Sequence, residues 1–421
     1  MLFSNIKDLN EKERRKLLQR TGSLEEAIVS VKQIISDVKL KGDEAILSYT
    51  EKFDKVKLED FRVSEEEFAE AREKVEEEVV EALREAHVNI LGFHKRQLVE
   101  EWSYDRDGIR LEEIQRPLRN VGCYIPGGRA AYPSTALMTI TPAKVAGVER
   151  IVCVTPPNKD GRANELVLVA CEIAGAKEVY KVGGAHAIAA LVYGTESIPK
   201  VEKIVGPGNI YVTAAKEVLS RSREVAVDMP AGPSEILIIA DEGANPEYIA
   251  LDMLAQAEHD PNAASILVTT SPEIGKLVVV ELEKHVKDKT KESLEKNGAV
   301  LIAQSLEEAT DFANEYAPEH LQIMVKEPRE VLAGIRNAGS VFLGEYTPVA
   351  LGDYATGTNH VLPTMGYARV FSGLSVRDFM KHIPVQEASE EGIKRVSKIV
   401  IKLAEAEGLQ AHADSVKKRI K

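Results

Sequence analysis

Between about residues 120 and 343 the chain repeats one rhythm: a short β-branched run, a turn, then a helical stretch. Ile151-Val152-Cys153-Val154, Glu178-Val179-Tyr180-Lys181-Val182 and Glu224-Val225-Ala226-Val227 read as strands, with helices at 166–174 and 185–192 between them. A second series opens at Glu235-Ile236-Leu237-Ile238-Ile239-Ala240. It continues through Ser265-Ile266-Leu267-Val268-Thr269, Ala299-Val300-Leu301-Ile302 and Ser340-Val341-Phe342-Leu343. Runs that are apolar throughout describe strands covered on both faces, as in a parallel sheet with crossover helices. The chain is therefore expected to be α/β, with two domains in tandem or one inserted into the other.

The first hundred residues read differently. Ser23-Leu24-Glu25-Glu26 and Ser64-Glu65-Glu66-Glu67 each have the form of a capping box opening a long helix. Behind the second, Phe68, Ala71, Val75, Val79, Leu83, Ala86 and Ile90 recur at three- and four-residue intervals as one buried stripe. His87 and His94 on this stretch have no partner in sequence and read as core or surface residues. The tail beyond about Val376 reads as helical and too small to fold alone.

Composition narrows the function classes. A formal charge of −13 disfavours nucleic acid as the main partner. No run of about 18 apolar residues is present, and the first residues turn charged at once, so a cytoplasmic protein without membrane spans is expected. Cys123, Cys153 and Cys171 lack C-x-x-C spacing and read as reduced, buried thiols.

Several turns and loops hold chemistry-bearing residues. Gln256 and His259 lie one turn apart at the end of an amphipathic helix. Asp353 and His412, far downstream, are of the types that would complete a mixed nitrogen and oxygen donor set for a divalent metal such as zinc, but spacing does not bring them together. Glu319 and His320 follow Ala317-Pro318 in a turn, as an adjacent acid and base. Gly206-Pro207-Gly208-Asn209 sits between a strand and a helix, the place where backbone N–H groups cradle a phosphate. It departs from the dinucleotide fingerprint, since Tyr211 stands where the third glycine would be. Val182-Gly183-Gly184-Ala185-His186 and Ile125-Pro126-Gly127-Gly128-Arg129 are similar turns, equally readable as structural glycines. Asp228-Met229-Pro230-Ala231-Gly232-Pro233-Ser234 joins the two strand series, either as a hinge carrying Ser234 to a ligand or as a rigid linker. Gly352 to His360 reads as a polar loop.

Taken together these stretches resemble the histidinol dehydrogenase family over nearly the whole chain. The resemblance rests on residues 121–128, 206–209, 228–235, 256–261, 317–321 and 352–364, and on Glu407-Gly408-Leu409-x-Ala411-His412. It implies two incomplete Rossmann-like parallel-sheet domains with small helical N- and C-terminal appendages. The division expected is an appendage at 1–20, a first domain of 21–120 plus 236–373 with the metal and catalytic residues, an inserted NAD-side domain at 121–235, and a tail at 374–421. By the same resemblance Gln256, His259, Asp353 and His412 ligate one zinc, and Glu319 and His320 are the acid/base residues. Ser234 and Glu407 are implied as substrate contacts, together with the zinc ligands and His320. Tyr124 and Asn209 are implied as NAD contacts. The family's third NAD contact is a glutamine in Gly-Gly-Ala-Gln; here His186 takes that place, with a shorter and titratable side chain.

The activity implied is oxidation of L-histidinol to L-histidine through bound L-histidinal, using two NAD in turn, in a homodimer whose active sites are shared. The alternatives are a related zinc and NAD dehydrogenase of another small polar alcohol, a zinc-binding homologue without catalysis, and hydrolysis at the zinc.

Overall fold

The computed structural model describes residues 1–20, 24–127 and 131–420. Along the chain, β1 (Leu2–Asn5) is followed by helices Glu11–Leu18, Leu24–Lys41, Asp43–Asp54, Glu65–Lys74 and Glu77–Lys95, then by a hairpin of β2 (Trp102–Arg106) and β3 (Ile109–Pro117). β4 (Asn120–Tyr124), β5 (Arg150–Thr155), β6 (Glu178–Lys181), β7 (Lys203–Val205) and β8 (Ala226–Val227) form a parallel sheet in the order β6-β5-β4-β7-β8. β9 (Glu235–Ala240), β10 (Ala264–Thr269), β11 (Gly298–Ile302), β12 (His320–Met324) and β13 (Ser340–Leu343) form another, extended by β1 to β1-β11-β10-β9-β12-β13. Without β1, the two sheets have one topology: the first strand lies in the middle, the next two on one side and the last two on the other.

The expected α/β architecture is present, and its cause is visible in burial. Every residue of β9, β10, β11 and β12 is buried, as all-apolar runs between two helical layers require. Helix Gly184–Tyr193 is buried from Ala185 through Val192, so it too must be covered on its outer side. Helices Leu24–Lys41 and Asp43–Asp54 supply that cover, while Glu65–Lys74 and Glu77–Lys95 pack on the opposite face against Pro133–Ala146 and Glu165–Ile173. The packing thus groups residues 24–95 with the smaller sheet rather than with 236–373.

Local differences have local causes. Ser64 caps its helix with the expected box, whereas Ser23 lies outside the described residues. The apolar stripe from Phe68 to Ile90 spans two helices, because the chain turns extended at Val75, and Val79 is 37% exposed. Neither end is purely helical. β1 edges the larger sheet, and β14 (Met380–Ala388) pairs antiparallel with β3 to make a third, three-stranded sheet. Beyond it, helix Glu390–Ala406 packs on β14 and on helix Gln410–Arg419, and Ile399 and Leu403 remain 62% and 60% exposed. No helix among the described residues is long and apolar enough to cross a membrane.

Candidate active site

The two sheets face each other across a cleft of about 1830 Å³. Their strands meet it with opposite ends. From the smaller sheet come the segments that follow strands: Tyr124 to Gly127, Pro156, Gly184 to His186 and Pro207 to Asn209. From the larger sheet come the segments that precede strands: Ser234 and Glu235, Asn262, Asn297, and Glu319 before β12. Helix N-termini therefore line one wall, those of Pro133–Ala146, Gly184–Tyr193 and Ile210–Ser220. Helix C-termini line the other, those of Pro246–Ala257, Asp288–Asn297 and Leu306–Tyr316. One wall carries positive partial charge and the other negative.

On the first wall, Gly206 adopts φ 113°, and a Cβ there would overlap the Tyr124 carbonyl oxygen. A buried ion pair holds this turn. Asp228 Oδ2 accepts from Gly206 N at 2.7 Å, Lys216 Nζ donates to Gly206 O at 3.0 Å, and the two side chains pair with each other. Asn209 caps the next helix, its Oδ1 accepting from Tyr211 N at 3.0 Å and Val212 N at 3.2 Å. Its amide NH₂ is left to face the cleft. The Tyr124 hydroxyl accepts from Gly184 N at 3.0 Å and so ties together the two glycine turns. His186 lines the cleft but is 1% exposed. Its Nε2 is 3.3 Å from Thr50 Oγ1 and its ring packs against Tyr49 and Phe53. Burial pushes the imidazole down to about 3, so it is neutral.

On the second wall, helix Leu306–Tyr316 ends at Ala317, whose φ of 51° is unusual for a residue with a side chain. That turn delivers Glu319 and His320 to the edge of the sheet, where His320 is the first residue of β12 rather than part of a loop. His320 Nδ1 donates to the Glu235 carbonyl at 3.2 Å. This fixes the Nδ1–H tautomer and leaves the Nε2 lone pair free, 3.9 Å from Asp353 Oδ1 and without a hydrogen-bond partner among the described residues. Burial pushes His320 down to about 3. Glu319 Oε2 accepts from Glu235 N at 2.8 Å and lies 3.5 Å from His320 Nδ1. Burial lifts its carboxyl well above the ordinary value, and the Glu235 and Asp353 carboxylates add to this.

Asp353 closes the short helix Val349–Tyr354, although the sequence reads as a loop there. Burial alone raises its carboxyl to about 6, so no protein cation offsets its charge. His259 follows the end of helix Pro246–Ala257, its N–H donating to Gln256 O at 3.3 Å. Its side chain is open to the cleft, and partial desolvation by the surrounding walls lowers its pKa. Gln256 is 3% exposed with its Nε2 unpartnered. A carboxylate without a protein cation, an imidazole and a buried amide are each of a donor type that a divalent cation accepts. Among the described residues no three His, Cys, Asp or Glu side chains converge as a ready ligand set.

Tyr124, His186, Asn209, Ser234, His259, Glu319, His320 and Asp353 are thus brought together in one cleft. Gln256 lies buried behind it. Glu407 and His412 are not brought in: both are exposed on the tail. The sequence marks His360 only as a ligand-type residue of the polar 352–360 loop, and gives no role to Glu235. His360 lines the cleft with Nδ1 3.2 Å from the Asp353 carbonyl and Nε2 3.4 Å from Thr135 Oγ1. Its type and its place beside Asp353 were the available signal. Glu235 was hidden as one charge opening an apolar strand.

Known proteins agree with this construction. The family model described as histidinol dehydrogenase matches residues 18–420. The histidinol dehydrogenase of Methanocaldococcus jannaschii is 52% identical, with 100% of this chain and 99% of that protein covered. That of Methanothermobacter thermautotrophicus is 54% identical over 94% of each. The crystal structure of histidinol dehydrogenase from Elizabethkingia anophelis superposes with a TM-score of 0.93 at 40% identity, covering 100% of this chain and 98% of that one. This chain belongs to the histidinol dehydrogenase family.

Proposed function

We propose that this protein oxidises L-histidinol to L-histidine in two successive hydride transfers to NAD, within one cleft that never releases the aldehyde. The observation that carries the reading is His320: a neutral imidazole, its tautomer fixed by the Glu235 carbonyl, with an unpartnered Nε2 beside Glu319 and Asp353. Such a group accepts the carbinol proton as hydride leaves the same carbon for the nicotinamide. Glu319 then takes a proton from the water that adds to the aldehyde carbon, and the hydrate formed loses the second hydride. Ser234, at the cleft end of the interdomain segment, is suited to orient the polar substrate.

Gln256, His259, Asp353 and His412 would hold the zinc, which when bound would supply a Lewis-acidic anchor that orients the substrate. The donor chemistry of the first three supports that set. For His412, and for Glu407 as a substrate contact, we infer a second copy of the chain. The tail lies against β14 and leaves an apolar stripe exposed, as expected of an arm that docks on a two-fold partner. NAD is read onto the opposite wall, where three helix N-termini and the Gly206 turn suit its pyrophosphate, with Tyr124, Asn209 and the cleft face of the His186 turn as contacts. Three free, buried cysteines accord with work in a reducing cytoplasm.

Two measurements test the reading. NADH formation should be far faster with L-histidinol than with any of a panel of other amino alcohols; equal rates across the panel would point to a different small alcohol. His259→Ala and His412→Ala should each be nearly inactive. Mixed by co-refolding, they should recover about a quarter of wild-type activity, because half the dimers are mixed and each has one intact site. No recovery in verified mixed dimers would refute the shared site.

A further inference from the structure

Glu235 touches both members of the acid/base pair through different atoms. Its backbone N–H donates to Glu319 Oε2 at 2.8 Å, and its backbone carbonyl accepts from His320 Nδ1 at 3.2 Å. Its carboxylate accepts from Glu319 N at 3.3 Å. The residue is 1% exposed, so this carboxylate is an anion taken out of water and requires a cation. Arg20 provides it: NH1 lies 2.6 Å from Glu235 Oε2, at a site where the arginine side chain is only 10% exposed. The guanidinium is itself fixed, stacked 3.6 Å over the Tyr316 ring and donating from NH2 to the Tyr316 carbonyl at 2.5 Å. Tyr316 is the last residue of the helix whose end turns through Ala317 and Pro318 into Glu319.

We propose that the Arg20–Glu235 pair is the positioning device of the reaction: it locks the helix end and the start of β9 to each other and so holds Glu319 and His320 in working geometry. Neither residue contacts the reacting atoms; both act through the pair they hold. The inference rests on Glu319 and His320 being the acid and base. It gives a role to the first twenty residues, which contribute one cation to a wall of the cleft whose other members, Glu235, Tyr316, Glu319 and His320, lie more than two hundred positions downstream. Planarity matters here, because one flat guanidinium stacks on Tyr316, donates to its carbonyl and meets the carboxylate at once, which an ammonium cannot do.

The test separates positioning from simple stabilisation. Removing one partner, in Arg20→Met or Glu235→Gln, breaks a buried ion pair and should lower both thermal stability and turnover. Replacing both, in Arg20→Met/Glu235→Gln, removes the uncompensated charge and should recover most of the stability. With nothing left to orient the residue 235 side chain, kcat should stay on the order of tenfold to a hundredfold below wild type. The Kd for NAD should remain within about twofold, because the opposite wall is untouched, and the KM for L-histidinol should change far less than kcat, because of the groups that contact substrate only His320 is displaced. Arg20→Lys, which keeps the charge and loses the fork, should fold and still lose kcat rather than KM. Recovery of kcat together with stability in the double variant would overturn the proposal, and so would a rise in KM at constant kcat. His320→Asn is the control for the reading beneath it. If that variant keeps full turnover, the acid/base assignment fails; if it is inactive while Arg20→Lys and the double variant are fully active, only the positioning role fails.

Discussion

The sheet of residues 120–227 meets the cleft with the carboxyl ends of its strands, whereas the sheet of residues 235–343, wound in the same order, meets it with the amino ends. In open α/β sheets ligands usually collect outside the carboxyl ends, at the point where strand order reverses. The smaller sheet obeys this, its switch lying between β4 and β7 beside Tyr124 and Gly206. In the larger sheet the switch lies between β9 and β12, and the residues gathered there, Glu235, Glu319 and His320, stand at the opposite edge. Topology alone does not choose the edge. Helix polarity separates the two walls: N-termini favour negative charge on one side, and C-termini favour positive charge on the other.

Three substitutions can break or sharpen this division. His320→Asn strikes the amino-end wall and should lower kcat about a hundredfold to ten-thousandfold, with NAD binding by calorimetry unchanged. A matching loss of NAD affinity would mean that the two walls are not separate. Gly206→Ala strikes the other wall. Forcing a Cβ against the Tyr124 carbonyl at φ 113° costs about 1–3 kcal/mol of local strain. It should weaken NAD binding on the order of tenfold, while equilibrium binding of L-histidinol is preserved; a loss of histidinol binding instead would put the turn on the substrate side.

The smallest effect is expected at His186. With Nε2 engaged by Thr50, His186→Gln should shift the KM for NAD by only about twofold and leave histidinol binding alone. Its acid behaviour is more distinctive. The native imidazole titrates near 3, against an ordinary value of 6.5, so below pH 6.5 the unfolded chain binds a proton at this residue that the folded one does not. Wild-type stability at this position is thus lost as pH falls from 6.5 toward 3. The glutamine variant escapes that loss and should gain in relative thermal midpoint on acidification; a constant gap from pH 7 to pH 4 would show that the residue is solvated.

The sequence spoke clearly wherever burial is two-sided. Strands such as Ile236 to Ala240 announce themselves because both faces are covered. β2, with all five residues exposed, and β14, mostly exposed, carry no such run and depend on pairing with β3. β12 was obscured by His320 at its start and Gln322, which is buried and bonded to Asp252 at 2.8 Å. His259, Glu319, His320 and Asp353, which line the cleft, were singled out through motif resemblance. Arg20 and Glu235 were not, because neither belongs to a chemical pattern until the fold joins them, and the packing partners of helices 24–95 could not be read because amphipathic stripes do not name the sheet they cover.

The edge position of β1 has a consequence for how the chain is made. Residues 24–227 are contiguous and contain the smaller sheet with its helices, so they can fold while synthesis continues. β1 emerges first, yet its partner β11 begins at Gly298, and Arg20 must wait for both Glu235 and Tyr316. The first twenty residues are therefore the earliest made and among the last secured. A ribosome paused once residue 227 has cleared the exit tunnel should carry a protease-resistant core behind a still-cleavable leading end, and resistance at that end should appear only after β11 has cleared the tunnel as well.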